Sequence, residues 1–312
     1  MFIKKDTRKV PEIIADESDE RETMLLGRRG AEFINGLSVL CHEKNVPRLQ
    51  SLRVLSLYGN QLENIQGIEA LRDSPLVELN LGCNCLTDLS AGLSALNTLE
   101  RLWVDDNRLT TLPTPILQLT SLKVLRLSNN SLEHVLDEFD KLPELEILAL
   151  DNNRLTHIPS TVYGLKQLKK LIVRGNRITE LSTRVQELKN LTFLQVSTNQ
   201  IETIPDELST LSKLATCYFN SNLIQEVPTS LADLLQLKKI SLANNRITEL
   251  PTLLEDAWQL NGAPIEGEEP VVAVELHGNP LKSLIGMEVL EEDVNAMDVE
   301  ESTTSNKRQR LP

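Results

Sequence analysis

Apolar residues recur along this chain on a fixed grid. In LRVLSLYGNQL, from Leu52, they occupy the first, fourth, sixth and eleventh places, and an Asn stands at the ninth. The grid returns in LVELNLGCNCL from Leu76, LERLWVDDNRL from Leu99, LKVLRLSNNSL from Leu122 and five further stretches. The Asn falls at positions 60, 84, 107, 130, 153, 176, 199, 222 and 245, a spacing of 24 followed by seven of 23. A tenth unit, VAVELHGNPL with Asn279, follows after 34 residues. Fixed-period self-similarity of this length predicts a solenoid, because one unit cannot bury its own apolar face and must stack on its neighbours. The short LxL segment predicts a strand whose alternate residues point in and out. The Asn marks the turn, where its carboxamide can satisfy backbone groups that would otherwise be buried unpaired.

The pattern LxxLxLxxNxL resembles the leucine-rich repeat family over roughly residues 49–285. Several units add a second clause, as in LPTPILQL, IPSTVYGL, IPDELSTL and VPTSLADL. With its 23-residue period, this form resembles the intracellular, Ras-suppressor-like subclass. The Pro of that clause suits an extended or helix-opening position with no N–H to satisfy. The resemblance implies an α/β fold: a curved leucine-rich-repeat solenoid, horseshoe-shaped, with a parallel β-sheet on the concave face. Extracellular members of the family carry Cys-rich caps that this sequence lacks.

A solenoid needs atypical ends to shield its core. Residues 1–48 are expected to be an N-terminal cap, with a degenerate repeat in IKKDTRKVPEI and a short helix and an irregular connection in the segment that follows. Residues 49–285 form the array of about ten repeats, interrupted by an irregular insertion at 252–270 that begins like a return helix and ends as an acidic Gly/Pro loop. Trp258, near the start of that insertion, either plugs the C-terminal end of the core or marks a binding loop. Residues 286–312 form an acidic tail whose composition predicts disorder. Within it Lys307, Arg308 and Arg310 match a short nuclear-import pattern.

Charge narrows the function classes. The net charge is −13, yet residues 46–251 hold 20 basic against 23 acidic residues, so most of the excess lies outside the regular array. Nucleic acid is therefore not expected as a direct partner, since phosphate binding needs a basic surface. The four Cys show no disulfide spacing, and the first twelve residues hold no apolar signal core. A reducing, cytoplasmic setting follows, with the nucleus as the alternative. No apolar run is long enough for a membrane span. Phosphate-loop, dinucleotide, nucleophile-elbow and zinc-protease motifs are all missing. Cys83 and Cys85 flank Asn84, but the matching places in adjacent repeats hold Gly59, Gln61, Asp106 and Arg108, which do not complete a zinc tetrad. No enzyme activity, cofactor or metal is expected.

What remains is a surface. The third, fifth and seventh places of each unit should line the concave sheet, since the leucines between them point inward. Those 30 places hold Tyr58, Trp103, Phe193 and Tyr218, four of the ten aromatics, where a random share is about one. Together with Arg101, Asp105, Val124, Arg126, Ile147, Lys170, Ile172 and Arg174 they form a candidate partner-binding patch, aromatic and apolar with arginines and opposite charge among them. The seventh places also include Asp151 and Asn220. A simpler reading of Trp103 lays its ring on Arg126 of the next strand. The expected function is a non-catalytic, monomeric scaffold or adaptor for a partner protein, within the cell and in signalling. The alternatives are a nuclear acidic-tailed adaptor and a regulatory or targeting subunit of an enzyme complex.

Overall fold

A computed structural model describes residues 8–10, 12, 22–30, 37, 49–133, 135, 137–260 and 272–282. Among these, eleven three-residue strands make one sheet: β1 (Thr23–Leu25), β2 (Val54–Ser56), β3 (Glu78–Asn80), β4 (Arg101–Trp103), β5 (Val124–Arg126), β6 (Ile147–Ala149), β7 (Lys170–Ile172), β8 (Phe193–Gln195), β9 (Thr216–Tyr218), β10 (Lys239–Ser241) and β11 (Ala273–Glu275). They stand in sequence order, all parallel, and the sheet stays open. The middle residue of each strand from β1 to β10 is buried, in most of them a Leu. One apolar core runs continuously from Val10 to Leu276.

The strands are short because each chain segment turns at its Asn. In the fifth full repeat the Asn153 Nδ2 donates to the carbonyls of Leu127 and Leu150, both at 3.0 Å, while its Oδ1 accepts the Leu132 N–H at 2.9 Å. One carboxamide thus ties its own repeat to the preceding one, and the arrangement recurs from repeat to repeat. The residue before the Asn takes a positive φ, between 52° and 55° at Asp106, Asn129 and Asn152. Gly175 holds the same place, and a Cβ there would lie 2.3 Å from the Asn152 Oδ1.

The chain returns through short 3-10 helices such as Thr114–Gln118, Asp206–Thr210 and Thr229–Asp233. A Pro stands immediately before each of these, extended at φ −64° to −71°. The helical layer of the α/β fold is therefore mostly 3-10. A narrow 3-10 turn lets the return path keep pace with strands roughly 4.8 Å apart. An α-helix, α1 (Thr252–Ala257), stands where the 252–270 insertion is expected to begin as a return helix. Trp258 at its end is 3 % exposed and belongs to the core, in keeping with the plug and not with a binding loop.

Within the segment expected to hold a short helix and an irregular connection, residues 22–30 are described and contain a strand. Thr23–Leu25 is a strand that pairs with β2, and Met24 and Leu26 join the core. The grid was illegible here because Arg21 stands where the first Leu belongs and Arg29 where the Asn belongs. Asn60 makes the same tie to this unit that Asn153 makes to the unit before it, donating to the Leu26 carbonyl at 2.8 Å, while its Oδ1 accepts the Arg29 N–H.

Candidate protein-binding face

The parallel register settles which outward residues are neighbours. Arg101, Val124, Ile147, Lys170 and Phe193 sit opposite one another in a single row across β4 to β8. The next row runs Trp103, Arg126, Ala149, Ile172, Gln195 and Tyr218. Asp105 and Arg174 lie two residues further along, just past the strand ends. Eleven of the twelve predicted patch residues are thus brought onto one contiguous stretch of sheet; Tyr58 stands apart, past the end of β2. Arg101 is exposed, and Trp103, Val124, Ile147, Ile172, Arg174 and Phe193 are half-buried.

Charged groups near β4 and β5 neutralise one another. The Arg101 guanidinium pairs with Glu78 of β3. Arg126 Nε meets Asp105 Oδ2 at 3.0 Å, and the other Asp105 oxygen accepts the Ser128 N–H at 2.9 Å. Burial pushes the Asp105 carboxyl above its ordinary range, against the opposing pull of Arg126 and the Ser128 amide. Arg126 stands opposite Trp103 in the register, but its guanidinium is turned to Asp105.

The cation over an aromatic ring lies elsewhere. Lys239 Nζ is 5.6 Å from the Tyr218 centroid and pairs with Glu275 Oε1 at 2.9 Å. The Phe193 ring packs on Tyr218 at 5.7 Å with a 57° tilt, the edge-to-face range that aromatic pairs favour. Between these neighbours Tyr218 is only 6 % exposed, so it supports the patch from beneath more than it offers a surface.

At the N-terminal end, Cys83 Sγ and the Tyr58 hydroxyl are in hydrogen-bond contact at 2.9 Å. That contact, and then burial, push the Tyr58 hydroxyl up to about 12. Burial also raises the Cys83 thiol. Without a metal bound, both groups therefore stay protonated at neutral pH. Among the described residues no group of three His, Cys, Asp or Glu side chains comes together as a metal site. Nor is any helix among them long and apolar enough to cross a membrane. Lys307, Arg308 and Arg310 lie outside the described residues.

Two features of this face escaped the sequence reading. Strand β1 adds Thr23 and Leu25 to its edge, hidden by the broken grid. Towards β8 and β9, Ser197 Oγ and Asn220 Oδ1 are buried without a hydrogen-bond partner. Both occupy seventh places, so the register locates them, but nothing in the letters says that they go unpaired.

The sequence profile described as Leucine rich repeat matches residues 97–155 and 143–201. Among solved structures the chain is similar to a leucine-rich repeat protein of Leptospira interrogans, with 30 % identity and a TM-score of 0.68, over 76 % of this chain and 64 % of that one. It is also similar to the plant peptide hormone receptor RGFR1, solved in complex with RGF2, with 23 % identity and a TM-score of 0.59. That match covers 76 % of this chain and 42 % of the receptor chain, so the present chain spans less than two thirds of either relative. No curated protein matches it. The repeating Asn ties, the ordered parallel sheet and these matches agree on one conclusion: the chain is a leucine-rich repeat protein.

Proposed function

We propose that this chain is a non-catalytic scaffold that takes a partner polypeptide on the concave face of its sheet. The observation that carries the reading is the seam of Val124, Ile147, Ile172 and Phe193. These are apolar side chains on four successive strands, each still partly open to solvent. Single exposed apolar residues need no explanation, but apolar side chains on four neighbouring strands, drawn from the two outward rows and set among Lys170 and the arginines, have the make-up of an interface. The leucine-rich repeat fold itself supports protein interaction in general, and the fold neighbour RGFR1 was solved with RGF2 bound. A monomer working inside the cell in a signalling assembly is the setting we assign, and the 23-residue period supports the Ras-suppressor-like subclass. Affinity purification of wild type, Trp103→Ala and Phe193→Ala, followed by mass spectrometry, tests the reading. Partners retained by wild type should be lost from at least one variant while circular dichroism shows the fold intact. An unchanged partner set on both folded variants overturns it.

A further inference from the structure

The seam has a polar neighbour that its apolar character does not explain. Along the seventh places, Arg174, Ser197 and Asn220 are adjacent on the extensions of β7, β8 and β9. The ladder continues through them, with Gly175 N–H bonded to the Ser197 carbonyl at 3.0 Å and Thr198 N–H to the Asn220 carbonyl at 2.9 Å. Side chains on such a row stand about 4.8 Å apart. Ser197 is 1 % exposed, and its Oγ has no partner. The Asn220 Oδ1 is likewise buried and unpaired. Arg174 is half-buried, and no ion pair engages it among the described residues. The carboxylate beside it in the row, Asp151, receives the Ser128 hydroxyl at 2.6 Å. Arginine, hydroxyl and amide oxygen therefore lie together with unmet hydrogen-bonding capacity, in a protein where equivalent charges at Asp105 and Arg126 are matched.

We infer that Arg174, Ser197 and Asn220 form a subsite for one acidic residue of the partner, next to the apolar residues that it lays on the seam. Each group supplies what such a residue lacks. The guanidinium donates to the side-chain carboxylate. The Ser197 hydroxyl and the Asn220 oxygen, covered in the free chain, are uncovered as the side chains over them turn to the bound residue, the hydroxyl donating to the same carboxylate and the amide oxygen accepting the main-chain N–H. The free protein already carries the desolvation of the two buried oxygens, so binding gains hydrogen bonds without a further loss of water at those atoms. The inference rests on the concave-face reading, and it names the chemistry of the partner: an extended segment with Asp or Glu beside apolar side chains.

The probe is a phage-displayed random peptide library selected on the full chain, with enriched sequences remade as synthetic peptides. Enriched peptides should carry an acidic residue beside apolar ones. Exchanging that residue for its amide should weaken binding to wild type about tenfold or more, and should have little effect on binding to Arg174→Gln. Ser197→Ala and Asn220→Ala should weaken binding while leaving the melting temperature unchanged or raised, since an unpaired buried oxygen contributes no stability. The inference is overturned by enriched peptides without acidic residues, by equal losses on wild type and Arg174→Gln, by loss of binding on C-terminal amidation alone, or by a marked fall in melting temperature in both Ala variants. If Phe193→Ala abolishes peptide binding but Arg174→Gln does not, the subsite fails and the concave-face reading stands. If no specific peptide is enriched, or neither variant matters, both fail.

Discussion

The two halves of the concave face share one backbone and differ in how their outward side chains are satisfied. Around β4 and β5, Arg101 pairs with Glu78 and Arg126 with Asp105, so Trp103 stands among charges that are already matched. Around β7 to β9 the outward rows hold Ile172 and Phe193, and among the described residues Arg174 is in no ion pair and two buried oxygens have no partner. The first half has its charges paired internally, and the second leaves Arg174 and two buried oxygens unmatched among the described residues. A repeat array can do this because its core and its face are set by different residues of the same unit. The fold constrains the inward Leu and the Asn, and leaves the third, fifth and seventh places to vary.

If the halves differ only outwardly, a change in the inward row should hurt both alike. Leu102 in β4 and Leu194 in β8 are each fully buried. Replacing either by Ala should cost about 2–5 kcal/mol in urea-induced unfolding, through lost burial plus the cavity left behind. Similar losses at the two sites would support the comparison. A loss confined to one would show that the halves differ in their cores as well.

A smaller stability effect and a larger binding effect are expected on the outward rows. Phe193→Ala removes the contact with Tyr218 and should cost about 1 kcal/mol of stability, but it should weaken partner binding more than tenfold, as a central aromatic anchor does. Trp103→Ala should weaken binding less, because its neighbours are already paired within the chain. Isothermal titration with one partner compares the two directly, and a larger loss at Trp103 would reverse the assignment of the open half.

This division also explains how much was legible in the letters. The solenoid could be read because a continuous core demands apolar residues at a fixed period, and so could the concave register, which follows from strand alternation alone. Strand β1 could not, because Arg21 and Arg29 replace the residues that announce a repeat, although Asn60 ties the unit on as every repeat Asn does. The turn of Arg126 towards Asp105, and the covering of Tyr218 by Phe193 and Lys239, could not be read either. Those outcomes depend on rotamers set between adjacent strands, 21 to 25 residues apart in the chain, and a column of letters carries no rotamers. Whether a polar residue in the register is matched or left open is the same kind of property, and it is the one that separates the two halves.

Asp105 gives the matched half a pH signature. Burial raises its folded pKa above that of the unfolded chain, even with Arg126 and Ser128 opposing. The folded state thus binds the proton more readily, and the ionised carboxylate lowers stability once the pH exceeds the folded pKa. Stability from this group is regained as pH falls through that folded value towards the ordinary carboxylate range. Asp105→Asn cannot titrate there. Urea titrations at neutral and mildly acidic pH should therefore show wild type gaining on the variant as the pH drops. The opposite slope would mean that Arg126 outweighs burial and that the pair is a net stabiliser when ionised.

The smallest effect should come from Arg101→Gln. The Arg101 side chain is 44 % exposed and its partner Glu78 23 %, so water and salt screen much of their attraction. Such pairs contribute roughly 0–1 kcal/mol, and less as ionic strength rises. The variant should lose no more than this at low salt, and the loss should vanish at high salt. Arg174→Gln is its counterpart in the open half, where no carboxylate is engaged among the described residues. It should change stability little at any salt concentration, because no intramolecular attraction is there to screen. Urea unfolding of both variants across a salt series compares them on equal terms. A salt-dependent loss at Arg174 would reveal an internal partner, and the second half of the face would then be as closed as the first.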